Sequence, residues 1–556
     1  MNPLACTKCA GRLLMALAAI FSILLIAGCG SSSSAPTPNS GGFSDSNLSG
    51  TYVISMSGTD LDSNGVPVPF AIVGTITANG KGAITGTIDI NDPGNTGVNL
   101  GQTLGSNSSY NITQDGRGTG TLTTTSAGSF GIDFVLTSNS HGLITRFDPV
   151  GTGSGTIDLQ TAVTSLTGSY AFSLSGADSG GNPLGTVGAF TLSSNSITGT
   201  EDFNDDLTSG DGYTDLTLSG QVVLGASGTS GTAQFNTNAV NGKLASLGFD
   251  VWVIDSTHLK FIETDGTLNV LSGDAFTQVT SFAPGQEVFT LAGVDGTGGP
   301  IVAGGYATIT DANGDLSNGV EDYNDAGNAV LQKPFSTSSS TCAAGRCQSA
   351  LNGFTNGSGN QLTFVVYPSS GGGLALEIDS FGLLQGAAYS QTATSFTGSG
   401  GYALNLSGLN NLNPVTATGV GEVDNIAQFN ASAPDTSFSG PINMTGTLDE
   451  NDIGAPQPTS KLSGIYVPDT NADGRGSISS NNSKTLLTGF TLQYYVVDSS
   501  TVVFIDVDST ALDGGAAQVA LGTFEAQSSS SGAAHRAISM VRPTVRPHGA
   551  ATFQRK

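Results

Sequence analysis

One pattern recurs four times in this chain, and it limits the fold more than any other feature. Tyr52-Val53-Ile54-Ser55-Met56-Ser57-Gly58 returns as Tyr170-Ala171-Phe172-Ser173-Leu174-Ser175-Gly176, as Glu287-Val288-Phe289-Thr290-Leu291-Ala292-Gly293 and as Tyr402-Ala403-Leu404-Asn405-Leu406-Ser407-Gly408. Each copy alternates apolar with small or polar residues, the period of a half-buried strand. A second marker follows, its aspartate 32 to 37 residues after the start of the first in three copies and 47 in the fourth: Gly86-Thr87-Ile88-Asp89-Ile90-Asn91-Asp92, Gly199-Thr200-Glu201-Asp202-Phe203-Asn204-Asp205, Gly319-Val320-Glu321-Asp322-Tyr323-Asn324-Asp325 and Gly446-Thr447-Leu448-Asp449-Glu450-Asn451-Asp452. A glutamine closes each copy, at Gln160, Gln278, Gln391 and Gln527. Units of this size can each hold a core, so the chain reads as an array of domains rather than a solenoid of small repeats.

Within each unit, short alternating segments are separated by Gly, Asn, Asp and Ser, with hairpin dipeptides such as Asn79-Gly80 and Asn313-Gly314. The 79 glycines and the scarcity of charge (11%) suit a turn-rich, all-β chain rather than helical bundles. The reading is four tandem repeats, each an eight-stranded antiparallel meander closed as a barrel, because closure hides the sheet edges. An immunoglobulin-like β-sandwich is the alternative. The openings Leu48-Ser49-Gly50-Thr51-Tyr52 and Leu166-Thr167-Gly168-Ser169-Tyr170 resemble the Gly-x-Trp start of lipocalins and avidins, with Tyr in place of Trp.

The N-terminus carries an address. Lys8 and Arg12 precede an apolar run, Leu13–Ala27, too short to span a bilayer. The run ends in Ile26-Ala27-Gly28-Cys29, which resembles the lipobox of bacterial lipoproteins. That resemblance implies cleavage before Cys29, lipid attachment at Cys29, and residence in the cell envelope, at the outer membrane or cell surface. As a whole the chain resembles tandem-repeat bacterial surface lipoproteins, a class without a common activity. The organisation expected is a signal peptide at 1–28, a disordered Ser/Pro tether at 29–46, β-repeats at 47–160, 166–278, 282–391 and 396–527, and a disordered basic tail at 528–556. The tail holds Arg536, Arg542, Arg546, Arg555 and Lys556 and no acid.

All 43 acids and 10 of the 17 bases lie within 30–527, a formal charge of about −33. Such a surface repels DNA, RNA and anionic lipid, so nucleic-acid partners are excluded. The partners expected are the membrane, through the N-terminal lipid, and envelope polymers, extracellular polymers or other cell-surface proteins.

Candidate chemistry is sparse. Cys342 and Cys347 enclose four residues and read as a disulfide outside the cytoplasm. The Asp-x-Asn-Asp markers offer hard oxygen ligands: Asp89, Asn91 and Asp92; Asp202, Asn204 and Asp205; Asp322, Asn324 and Asp325; Asp449, Asn451 and Asp452. Asp469, Asn471 and Asp473 look like the start of an EF-hand loop, but position twelve is Ser480 rather than Glu. Calcium is the candidate cofactor for these oxygens, and caps of hairpin turns are the alternative. His141 and His258 read as hairpin residues, and Trp252 as a strand-packing residue rather than a stacking platform. No reactive cluster points to catalysis, and the chain is read as no enzyme. Two functions remain. One is a lipid-anchored envelope protein presenting four β-domains as a spacer, adhesion or interaction surface. The other is a set of small-ligand-binding barrels of lipocalin-like type.

Overall fold

The computed structural model describes residues 42–205, 213–354, 361–396, 400–410, 421–432, 443–480, 490–508 and 518–528. Cys29, the signal segment and the tail beyond Ser528 lie outside them. All described residues belong to one compact unit, and apart from one 3-10 turn at Asp45–Asn47 their regular structure is β-strand.

The strands pair antiparallel with their sequence neighbours, and the last strand of each repeat pairs back onto the first. Tyr170 thus lies opposite Thr277, Glu287 opposite Ser390 and Tyr402 opposite Ala526. Repeats two, three and four are closed eight-stranded barrels. The first repeat departs from that count. Its nine strands form a sheet whose edges are Gly97–Thr103 and Ser109–Ile112. The short Ser109–Ile112 strand is inserted where the fourth and fifth strands pair elsewhere. On that side the strand pairing is reduced to isolated bridges, Ala83 to Ser109 and Leu104 to Thr124. The packed structure also starts earlier than the expected tether boundary at 46. Phe43 is buried in the first core, and its amide donates to the carbonyl of Gln114 (3.2 Å). An aromatic ring at this point reaches the first core and gains more by burial than a solvated tether would.

Alternation places the apolar residues of the repeated motif inside. Tyr170, Phe172 and Leu174 join Phe190, Phe235, Phe249 and Phe261 in the second core. Tyr402, Leu404 and Leu406 join Phe429, Tyr466, Tyr494 and Phe524 in the fourth. The rings stack and cross at centroid distances of 5.2–6.1 Å in the second barrel, so aromatic side chains occupy the barrel interior. In the fourth barrel a small pocket of about 20 Å³ lies among Leu404, Leu406, Leu448, Leu462, Phe490 and Leu492, room for about one water.

The glycine that ends the repeated motif has a steric cause. A Cβ at Gly58, Gly176, Gly293 or Gly408 would lie 2.0, 1.7, 1.8 or 2.5 Å from a carbonyl of the strand that closes the barrel. A second set sits on that closing strand: Gly155, Gly273, Gly386 and Gly522, where a Cβ would meet the carbonyls of Ser55, Ser173, Thr290 and Asn405 at 1.6–2.2 Å. The seam between first and last strands is therefore tight at equivalent points in all four repeats. Gly273→Ala should force the seam apart and cost about 1–3 kcal/mol, read as a lower chemical-denaturation midpoint; an unchanged midpoint would show that the seam relaxes freely.

Candidate functional site: the joins between repeats

The outward-facing residues of the second marker do not end in solvent. They reach into the next repeat, and the fourth repeat reaches into the first, so the joins form a closed cycle. Asn91 donates its side-chain amide to the carbonyls of Glu263 (3.0 Å) and Asn269 (2.9 Å) in the second repeat. Asn204 donates to the carbonyls of Glu377 (2.9 Å) and Gly382 (2.8 Å) in the third. Asn324 donates to those of Asp506 (3.1 Å), Asp508 (3.2 Å) and Gln518 (2.9 Å) in the fourth. Asn451 donates to those of Arg146 (3.0 Å), Asp148 (3.3 Å) and Gly151 (2.8 Å) in the first.

The closing glutamines repeat this connectivity. Gln160 Nε2 donates to Thr229 and Val253, Gln278 to Gly345, Gln391 to Asp473 and Val496, and Gln527 back to Asp115 and Leu136. Each acceptor is a backbone carbonyl in the following repeat. The residue after each glutamine adds a backbone bond to the same place: Thr161 to Ile254, Val279 to Pro368, Thr392 to Val497 and Ser528 to Thr137.

The aspartate of the marker sets the electrostatics of each join. Asp202 accepts Arg346 Nε (2.9 Å), Arg346 Nη2 (2.6 Å) and the Tyr367 hydroxyl (2.6 Å). Asp322 accepts Arg475 Nε (2.7 Å), Arg475 Nη2 (2.8 Å) and the Tyr495 hydroxyl. Both arrangements are bidentate and buried. The joins on either side of the first repeat are built differently. Asp89 accepts Trp252 Nε1 (3.0 Å) and the amide of Gly101 (2.7 Å) and faces Asp250. Asp449 accepts the amide of Thr459 and faces Asp133, with Arg117 Nη1 no nearer than 3.8 Å. Burial, reinforced by the facing carboxylate, raises Asp250 to about 7 and Asp133 to about 8.

The fourth marker residue stays at its hairpin. Asp92 accepts the amide of Asn95 (3.2 Å), and Asp325 and Asp452 meet Asp295 and Asn410; Asp205 is buried at the end of its strand. The last aspartate therefore sits at a turn, and the preceding aspartate and asparagine are cross-repeat contacts, Asn324 also accepting the turn amide of Gly327 (2.9 Å). In the EF-hand-like segment Asp469 and Asp473 both turn to Arg475, and Asn471 is exposed. Among the described residues, no group of three or more His, Cys, Asp or Glu is arranged to hold a metal ion.

Cys342 and Cys347 form a disulfide across a hairpin. The turn it closes supplies both the Gly345 carbonyl that takes Gln278 and the Arg346 guanidinium that takes Asp202. Trp252 packs with Val53, Ala71 and Val73 of the first repeat. The two histidines are not turn residues. His141 is buried between Asp158 (2.7 Å) and Glu525 of the fourth repeat (3.2 Å). Burial opposes its charge, but these two carboxylates outweigh it and push His141 up to about 10. His258 and Lys260 both contact Asp274 at 2.7 Å. Sequence reading missed this network because Glu525, which completes the site of His141, comes from a strand far away in the chain; strict alternation placing His141, His258 and Lys260 on outward faces was the only available signal.

No family model and no curated protein matches this chain. Two crystal structures of the vaccine antigen Transferrin Binding Protein B from Haemophilus parasuis Hp5, a single and a double mutant, are similar at 9% identity. Each match covers 69% of this chain and 83% of that one, with a TM-score of 0.20. A superposition that loose carries no functional argument.

Three outcomes follow from the joins. Asn324→Ala strands three buried carbonyls and should cost about 2–4 kcal/mol, seen as a lower melting temperature. The double variant Cys342→Ser, Cys347→Ser frees a short loop and should cost about 2 kcal/mol. Its hydrogen exchange should rise first at the Arg346 hairpin and at Asp202; a uniform rise would separate the disulfide from the join. The third outcome is a pH dependence. Burial raises Glu201, Glu263 and Asp133 to about 8 and Asp250 to about 7. Such groups hold their protons more tightly folded than unfolded. Their stabilisation is complete below the ordinary carboxyl range and is lost as pH rises from about 4 to about 8. Asp158 and Asp274, held low by cations that outweigh their burial, lose theirs only in stronger acid. The melting temperature should therefore fall from pH 5 to pH 8.5, and Glu263→Gln should flatten that slope.

Proposed function

We propose that this protein is a lipid-anchored component of the bacterial cell envelope that presents four β-domains as one rigid interaction platform. The observation that carries the reading is the closed cycle of joins. Each repeat is tied to the next by buried side chains, and Gln527 and Asn451 tie the last to the first. Domains held this way cannot swing as beads on a string, so hairpins from four repeats keep fixed relative positions. That suits multivalent attachment to a repeating polymer or to another surface protein, where fixed geometry sets the effective concentration of the second contact. The anchor at Cys29 rests on the sequence resemblance alone.

Lipocalin-like ligand binding is less favoured, because the described barrel interiors are packed with the protein's own aromatic and aliphatic side chains. The platform acts without catalysis in this reading.

Protease treatment of intact cells, with detection of each repeat, tests the reading. Removal of the repeats while periplasmic markers survive, together with release of the protein from membranes by Cys29→Ala, is the expected result. Repeats that resist until the outer membrane is broken would overturn surface presentation, and unchanged membrane association of Cys29→Ala would overturn the anchor.

A further inference from the structure

The four joins share a plan but not a charge balance. The joins from repeat two to three and from three to four each set an arginine and a tyrosine on the marker aspartate. At the first repeat's two joins these positions differ. Ser230, paired with Trp252 across the strands, stands where Arg346 and Arg475 stand in their repeats. In the fourth-to-first join the arginine position is kept and only the tyrosine is lost: Arg117, with Nη1 3.8 Å from Asp449, is paired with Val135 as Arg475 is with Tyr495. A second carboxyl also enters each join: Asp250, two residues along the strand from Trp252, whose indole N–H is on Asp89 (3.0 Å), faces Asp89, and Asp133 faces Asp449.

The cations nearby are already engaged. In the fourth-to-first join Arg117 serves both Asp115 (Nε, 3.1 Å) and Asp449 (Nη1, 3.8 Å), and Arg146 bridges Asp60 and Asp148. Lys260 and His258 share Asp274, and His141 lies between Asp158 and Glu525. The other acids of the fourth-to-first join, Glu422 and Asp424, accept hydroxyls from Thr59, Thr152 and Ser154.

Apolar burial is unequal in the same sense. The cluster across the first-to-second join has seven buried apolar residues, and that across the fourth-to-first join has four, Val135, Leu143, Ala403 and Ile426. The clusters spanning the other two joins have ten and eleven.

We propose that the first-to-second join, where Ser230 replaces the arginine, forms a proton-dependent latch that opens when Asp89 and Asp250 ionise together, while the joins that keep an arginine at the marker aspartate stay closed. The physical reason is that two buried carboxylates facing each other without a dedicated cation repel, and one retained proton turns that repulsion into a hydrogen bond. Opening would expose the outer faces around Val53 and Val73, surfaces that the closed cycle hides.

The chain carries its own reporter. Trp252, the only tryptophan, is buried in the first-to-second join with its indole N–H on Asp89. Full-length protein is titrated from pH 5 to pH 10 while Trp emission and acrylamide quenching are followed, with far-UV circular dichroism as the control for global unfolding. The expected result is a reversible red shift and increased quenching with circular dichroism unchanged. Hydrogen exchange should rise at strand 67–79 while strand 421–431 and the strand holding Tyr495 stay protected. Asp250→Asn, which removes one carboxyl, should suppress the transition, and Ser230→Arg, which supplies the missing cation, should move its midpoint up by a pH unit or more. Trp emission unchanged over the whole range, a shift that coincides with loss of circular dichroism, or a midpoint indifferent to both variants would overturn the proposal.

Discussion

The buried hydrogen bond from one marker asparagine to the next repeat's backbone is the contact on which the rest of the assembly depends. The hairpin between the last two strands of a barrel leaves carbonyls without ladder partners, and burying them unpaired would cost on the order of 1–3 kcal/mol each. Asn91, Asn204, Asn324 and Asn451 supply the missing donors from the neighbouring repeat. The packing of Val, Ile and Ala across each join can then exclude water without orphaning polar groups. A side chain with two N–H donors and no charge suits the task, because it can serve two or three carbonyls without the desolvation cost of an ammonium.

Around that bond the joins differ, and the differences follow the residue opposite the marker aspartate. Where arginine and tyrosine converge, as on Asp322, the carboxylate is neutralised in place and the apolar cluster beside it is large. Where a second aspartate enters, the apolar cluster is small. The first repeat is thus the odd member twice over, in its nine-stranded sheet with bridged edges and in both of its joins. A cycle of near-identical units has acquired one place where it differs from itself.

Much of the fold was legible in the chain. The alternation in Tyr170–Gly176 marks a strand with one buried face, and its fourfold return with short glycine-rich turns points to meanders that must close. The markers were legible as positions but not as roles. Asp89 and Asn91 read equally well as turn caps or calcium ligands, because both uses need short oxygen-bearing side chains at a strand end. Their partners, Trp252, Glu263 and Asn269, lie more than 160 residues away, and no local pattern links them. The ninth strand was hidden for a related reason: Ser109–Ile112 is only four residues long and carries no alternation beyond Tyr110 and Ile112.

By itself the sequence determined the all-β class, the number of repeats, the acidic body and the candidate anchor at Cys29, since each is written in composition, period or a local motif. Tertiary structure alone decided that the repeats close into a cycle, that Gln527 returns to Asp115 and Leu136, and that His141 lies between acids from two repeats. Local periodicity reports which face of a strand is buried. It does not report what buries it, and here the burying surface is the next copy of the same unit.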